Sequence, residues 1–329
     1  MDVISKEIKL VSGVPQGSNL APLLYIIFIN DVLNCIKNSE FLLYIDDMKL
    51  YKSIENLDDV HLFKEDIQNI INLNNDNGLK FNISKCKIMI FKEKYSSLNI
   101  DTHYVLEGEV VERVSILKDL GIFFQENMNF ATHINFVTSK AKKRLYLLKK
   151  KLQSFSRTES LNLMYNAHIK SILMYGSVIW SPTVRNLIYD IEKIQHQYFR
   201  IYASIKKILF DYREHNYHEL AKSSDMITLE SARNISEIKF LYNILNNNID
   251  EIEILAGIDF SVPVIKLRNR NILQKILFTV PFELRDSRHK SSIFSMSQTY
   301  NSISDKVDIF DPSMLRFFKT VKENLRKLE

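Results

Sequence analysis

Two adjacent carboxylates, Asp46 and Asp47, interrupt an apolar and aromatic stretch, Phe41 to Tyr51, that reads FLLYIDDMKLY. Neighbouring side chains on a straight strand point to opposite faces, so the pair can serve one cation only where the backbone turns. The flanking runs predict a β-hairpin with Asp46 and Asp47 at or near its turn. Hard oxygen ligands so placed suit Mg²⁺, which takes one or two carboxylates, keeps several waters and binds substrate phosphates. That is the ligand set of phosphoryl transfer. An Asp-Asp dipeptide is also an ordinary polar turn between buried strands, and the pair alone leaves both readings open.

The elements that must position the pair lie on both sides of it. Upstream, Gly13, Pro15 and Gly17 punctuate a turn-rich loop, and an apolar run from Leu20 to Ile29 predicts a buried helix over about Leu20 to Ile36. A glycine-bearing loop that enters a helix lets the backbone approach a base pair or phosphates closely. Downstream, Leu57, Val60, Leu62, Phe63, Ile67, Ile70, Ile71 and Leu73 recur at helical spacing, and Asn74 to Gly78 ends that helix. The segment LKFNISKCKIMIF then predicts a turn carrying Asn82, Lys85 and Lys87, followed by a strand at Ile88 to Phe91.

Charge is distributed unevenly. The whole chain of 329 residues has a formal net charge of only +5, yet Asn127 to Thr158 contains no acid and eight bases. These are Lys140, Lys142, Lys143, Arg144, Lys149, Lys150, Lys151 and Arg157. Ile134, Val137, Ala141, Leu145, Leu148, Leu152 and Phe155 step by threes and fours, which puts one apolar stripe on a helix and leaves the bases around it. Such a helix can dock on a core and offer its charges to a phosphate backbone with salt-dependent affinity. A solvated helix face is the alternative.

Composition bounds the remaining classes. With 46% hydrophobic and 25% charged residues the chain reads as globular, in two or three domains. Cys35 and Cys86 are the only cysteines and form no C-x-x-C pair, which argues against a zinc site or a disulfide framework and for a reducing compartment. No signal peptide and no apolar run long enough for a membrane span is evident, so a soluble, intracellular protein with no membrane partner is expected.

The order of GVPQGS, PLLY, FINDV and YIDD resembles motifs B and C of reverse transcriptases, within which it is most similar to non-LTR (LINE-type) retrotransposons of the jockey kind. The Asn82, Lys85 and Lys87 turn resembles the family's motif D. The Leu120–Gly121 hairpin resembles its primer grip. Further on, Tyr175, Gly176, Trp180 and Pro182, then Ile194, Gln195 and Arg200, are similar to the pattern that follows the thumb in this group. Tyr175 and Trp180 read as core anchors rather than base-stacking groups.

The resemblance implies an α+β fold: a partial right-hand polymerase palm, an antiparallel sheet with helices, followed by a mainly helical thumb and C-terminal region. The implied domains are 1–127 (partial palm, motifs B to E), 128–200 (thumb and post-thumb) and 201–329 (C-terminal, mainly helical). It further implies RNA-directed DNA polymerase activity on an RNA template, a DNA primer and dNTPs, with two Mg²⁺ ions, or Mn²⁺ in their place, and a nuclear location. Asp46 would bind both metals with Asp47 assisting. Gly13, Pro15, Gln16 and Gly17 would line the base pair and template, Tyr44 would lie near the primer end, and Lys85 or Lys87 would face the triphosphate. Solvated loop lysines are the alternative for the last two. Ile45 and Met48 depart from the usual Ala and Thr.

A larger departure is upstream. Asp2 is the sole Asp in the twelve residues before Gly13, whereas the family draws another essential Asp from motif A, tens of residues before that loop. A truncated copy without motif A and fingers is therefore expected, inactive alone unless another chain supplies the missing part. Two other readings stand beside it: a non-catalytic nucleic-acid-binding remnant, and an inert relic.

Overall fold

The computed structural model describes residues 13, 17–91, 103–209, 217–261, 276–280 and 292–328. The chain divides into two compact units, residues 1–115 and 116–329. Both mix helix and strand, and the described strands form four separate two-stranded pieces rather than one sheet.

The first unit begins with α1 (Ala21–Ile29), which has Pro near its start and a Ser18 hydroxyl accepting from the Ala21 N–H at 3.0 Å. Proline is tolerated there because the first-turn N–H groups have no intrahelical partner. The predicted helix to Ile36 is shorter than expected: a 3₁₀ turn over Asn30–Asn34 takes over after Ile29. The apolar run was read as a buried helix, but α1 buries only Ala21, and Leu23, Leu24, Ile26, Ile27 and Phe28 are each between 42 and 63% exposed. Strands β1 (Glu40–Tyr44) and β2 (Asp47–Tyr51) form the expected hairpin.

Helix α2 (Leu57–Asp76) starts at a capping box in which the Asn56 side chain accepts from the Asp59 N–H, while the Asp59 carboxylate accepts from the Asn56 N–H. Its buried Asp66 accepts from the backbone N–H of Lys37 (3.0 Å) and Asn38 (2.9 Å) and from the Asn38 amide (3.2 Å). Asn69 donates to the Cys35 carbonyl at 3.2 Å. The α2 helix thus fastens the chain just before β1, which fixes where the hairpin starts.

The rest of this unit is short strands. β3 (Lys87–Ile88) pairs in parallel with β6 (Glu112–Arg113), and β4 (Val105–Leu106) pairs with β5 (Glu109–Val110). The strand expected at Ile88 to Phe91 is reduced to two residues that begin one position earlier. Its pairing depends on Glu112 and Arg113, more than twenty positions away, which local composition does not encode.

The second unit opens with the hairpin of β7 (Ile116–Asp119) and β8 (Ile122–Gln125), turning at Leu120 and Gly121 as expected. Helix α3 (Ala131–Leu152) buries Ile134, Val137, Ala141, Leu145 and Leu152, the predicted stripe. It packs in one core with α4 (Thr158–Tyr165), α5 (Ser171–Met174), α6 (Ser177–Trp180) and α7 (Arg185–Lys206), where Tyr165 stacks on Tyr198 at 4.2 Å. Between α4 and α5 the helix widens to a π turn over Asn166–Lys170. After α8 (His218–Ser223), helix α9 (Leu229–Leu245) anchors a second core with α11 (Ser292–Asn301) and α12 (Met314–Leu328). There Phe317 stacks on Tyr242 at 4.5 Å. The short α10 (Ile252–Ala256) lies beside α9.

The Tyr-Gly-x-x-x-Trp pattern turns out to be a clasp. Trp180 is fully buried and donates from its indole N–H to the Tyr175 carbonyl at 2.8 Å. Tyr175 is a correction to the expected core anchor: it is 58% exposed, and its hydroxyl donates to the Leu120 carbonyl at 2.8 Å. Its role is to hold the β7–β8 turn. Gly176 adopts φ 62°, the left-handed backbone that favours glycine, and a Cβ there would press on the Ile122 Cδ1 methyl at 2.6 Å.

Candidate active site and nucleic-acid interface

The β1–β2 register runs from Glu40 opposite Tyr51 to Tyr44 opposite Asp47, leaving Ile45 and Asp46 as a two-residue turn. Asp46 is therefore at the apex and Asp47 opens β2. Ile45 is left-handed, with φ 57°. A β-branched residue resists that region, and such strain persists only where surroundings impose it, often at ligand sites. The turn is what lets two consecutive carboxylates leave the alternation of a strand. Both are exposed, and among the described residues neither has a hydrogen-bond or ion-pair partner. Tyr25 of α1 lies close enough to feel the pair: burial, and then the Asp46 carboxylate, hold its hydroxyl above the ordinary value.

The donor chemistry suits a hard divalent cation with water completing its shell. Among the described residues, however, no group of three or more His, Cys, Asp or Glu gathers to hold a metal. Among the described residues the hairpin thus presents two carboxylates and no third metal-ligating side chain beside them.

The other expected nucleotide-side residues separate. Gly13 and Gly17 have φ of 88° and 85°, the left-handed backbone that favours glycine. Pro15 and Gln16 lie outside the described residues. Tyr44 closes the hairpin opposite Asp47 and is exposed. Lys85 is exposed on a tight turn in which its N–H donates to the Asn82 carbonyl at 2.9 Å. Lys87 is instead engaged: its ammonium sits 2.6 Å from Glu112, across the β3–β6 pair. Of the two lysines, Lys85 is the more exposed.

In the second unit, Lys140, Lys142, Lys143, Arg144, Lys149, Lys150 and Lys151 are all exposed on α3, and none forms an ion pair with a described residue. Tyr146 stands among them, 80% exposed, where an aromatic face can stack a base. Sequence reading missed it because it sits off the apolar stripe.

Two further residues were missed. His133, at the start of α3, is buried, and its Nδ1 accepts from the Phe123 N–H at 3.3 Å, while Nε2 has no partner among the described residues. Burial pushes its pKa down, which keeps the ring neutral. It lines a cavity of about 330 Å³ between β7–β8 and α3, rimmed by Lys118 and Lys140. The Lys118 ammonium lies 5.5 Å from the Phe123 ring and 5.4 Å from that of Phe136. A polar residue beside an apolar run gave the only sequence signal for either.

Comparison with protein families gives one match. The family model for reverse transcriptase (RNA-dependent DNA polymerase) matches residues 2–146. That span takes in the Gly13 loop, the carboxylate hairpin, the Lys85 turn, β7–β8 and the basic start of α3. Its members are RNA-directed DNA polymerases that act on template, primer and dNTP, generally with Mg²⁺. Neither a curated protein nor a solved structure matches the chain. No described helix is long and apolar enough to cross a membrane.

Proposed function

We propose that this chain is the later part of a non-LTR, jockey-like reverse transcriptase, with residues 1–127 as partial palm, 128–200 as thumb and post-thumb, and 201–329 as a C-terminal helical region. The observation that carries the reading is the two-residue turn that lifts Asp46 and Asp47, exposed and unpartnered among the described residues, out of β1–β2. In this reading the two carboxylates hold Mg²⁺, which supplies charge stabilisation at the reacting phosphate. The chain's own residues do the positioning. Gly13, Pro15, Gln16 and Gly17 line the base pair, and Tyr44 abuts the primer end. Lys85 offers its proton or charge to the departing pyrophosphate. The α3 bases track the duplex backbone.

With two carboxylates gathered and no third among the described residues, chemistry needs one more from outside them, in a segment or chain carrying the fingers and the adjoining palm strand. The exposed apolar faces of α1 favour this, since a helix apolar all round is normally covered. The test is Mg²⁺-dependent extension of oligo(dT) on poly(rA). We expect no extension by this chain alone, and extension with the complementing polypeptide that Asp46→Asn abolishes. Extension by the chain alone would overturn the need for an outside carboxylate, and extension that survives Asp46→Asn would overturn the assignment of Asp46. The unpaired α3 bases also favour a second reading, a nucleic-acid-binding protein without chemistry, which predicts salt-dependent duplex binding and no extension under either condition.

A further inference from the structure

Lys170 ends the π turn of Asn166–Lys170, a rare widening that re-aims side chains and recurs at functional sites. Here it opens on a cavity of about 310 Å³, with Asn166 and Lys170 on one side and Met174, Ile227 and Ile235 forming an apolar wall. Among the described residues the Lys170 ammonium has no hydrogen-bond or ion-pair partner, and neither has the Asn166 amide. The hydroxyls of Ser171 and Ser236, also at this cavity, already donate to the Ala167 and Ala232 carbonyls. The free donors are therefore Lys170 and Asn166.

The charge around Lys170 is unbalanced. Burial, and then the like charge of Lys322 on α12, pull its pKa below the ordinary value. Glu192 acts in the opposite sense, but that carboxylate is taken up by Arg233 at 3.4 Å and by the Leu229 N–H at 3.1 Å. A desolvated ammonium beside a second cation and without its own counter-ion is unfavourable, and a bound anion relieves it. A phosphate has enough oxygens to meet Lys170 and Asn166 together and still face water.

We propose that this cavity binds a phosphate ester, its phosphate on Lys170 and Asn166 and its organic part on Met174, Ile227 and Ile235. The site is independent of the polymerase reading. Two sources share this chemistry, a free phosphomonoester and the sugar-phosphate backbone of a nucleic acid.

Thermal unfolding of the full chain with phenyl phosphate tests the site. We expect the ligand to raise the melting temperature of the wild type in a dose-dependent way. Lys170→Met should bind about tenfold more weakly or worse, the scale of a lost charged hydrogen bond, and should melt without ligand no lower than the wild type, because an unpaired ammonium is gone. Asn166→Ala serves the same comparison if Lys170→Met fails to fold. No ligand-dependent shift in the wild type, or an equal shift in both variants, would overturn the proposal. Displacement of phenyl phosphate by a short oligo(dT) would sustain the site with nucleic acid as its source. Binding that oligo(dT) leaves undisturbed would sustain it with a free phosphomonoester.

Discussion

The carboxylate hairpin and the helical unit handle apolar surface in opposite ways. In the first, α1 leaves five large apolar side chains substantially exposed, and Leu42, Tyr44 and Ile45 of the hairpin are exposed as well. In the second, two clusters enclose fully buried Trp180, Tyr165, Tyr198, Phe278 and Phe317. The helical unit satisfies its own core. The hairpin unit presents the two proposed metal-binding carboxylates on a scaffold whose apolar helix has little cover among the described residues. The packed cores and the proposed carboxylate site therefore lie in different parts of the chain, and substitutions should sort accordingly.

The largest effect is expected at Trp180. Truncating a fully buried indole that also donates a hydrogen bond should cost about 3–5 kcal/mol, read by urea unfolding. Ile27→Gln on α1 should change stability by less than about 0.5 kcal/mol, as for other exposed sites. Equal costs at the two would erase the contrast. Gly176→Ala should cost about 2 kcal/mol, because a Cβ would meet Ile122 at 2.6 Å in left-handed backbone.

Asp66 sharpens the comparison within the first unit. Burial raises its pKa, but hydrogen bonds from the Lys37 and Asn38 backbone and the Asn38 amide outweigh that and leave it below the ordinary 3.8. A depressed carboxylate contributes stability that is present above its unfolded value and lost as pH falls through its folded one. Protection against hydrogen exchange at residues 37–51, relative to the intrinsic rate at each pH, should thus fall below about pH 4. Asp66→Ala should produce the same loosening at neutral pH, at about 2 kcal/mol.

His133 has a dependence of the same sign in the second unit, in a higher pH range. Its folded pKa lies below the ordinary 6.5 because it is buried, so the unfolded chain binds the extra proton first. The helical unit should lose stability as pH falls through 6.5, and His133→Phe should flatten that slope in a pH series of melting curves. The smallest effect on stability is expected from Lys142→Glu, Lys143→Glu, Lys149→Glu and Lys150→Glu combined. That variant should remain folded but lose salt-dependent binding to a primer-template duplex. Unchanged binding would remove α3 from the interface.

Much of this arrangement is legible in local pattern. The Asp46–Asp47 turn between two apolar runs, the Leu120–Gly121 hairpin and the stripe from Ile134 to Leu152 each carry their own signal within a few residues. Features that depend on distant partners do not. Lys87 reads like Lys85 until β3 meets Glu112, and Asp66 is one acid on an amphipathic helix until it caps Lys37 and Asn38. Tyr175 reads as core by its motif but spends its hydroxyl on Leu120. The left-handed Ile45 is likewise hidden, since its side chain argues against the backbone it adopts. The exposure of α1 escapes sequence because apolar composition reports the need for cover, not whether it is met.

The most direct test of the account is whether Asp46 and Asp47 hold a divalent cation. Mn²⁺ titration of the isotopically labelled chain, read by paramagnetic broadening of amide signals, locates the ion without relying on activity. The account predicts broadening centred on residues 44–48 that disappears in Asp46→Asn with Asp47→Asn while the hairpin signals persist. Broadening centred elsewhere, or unchanged in the double variant, would contradict it.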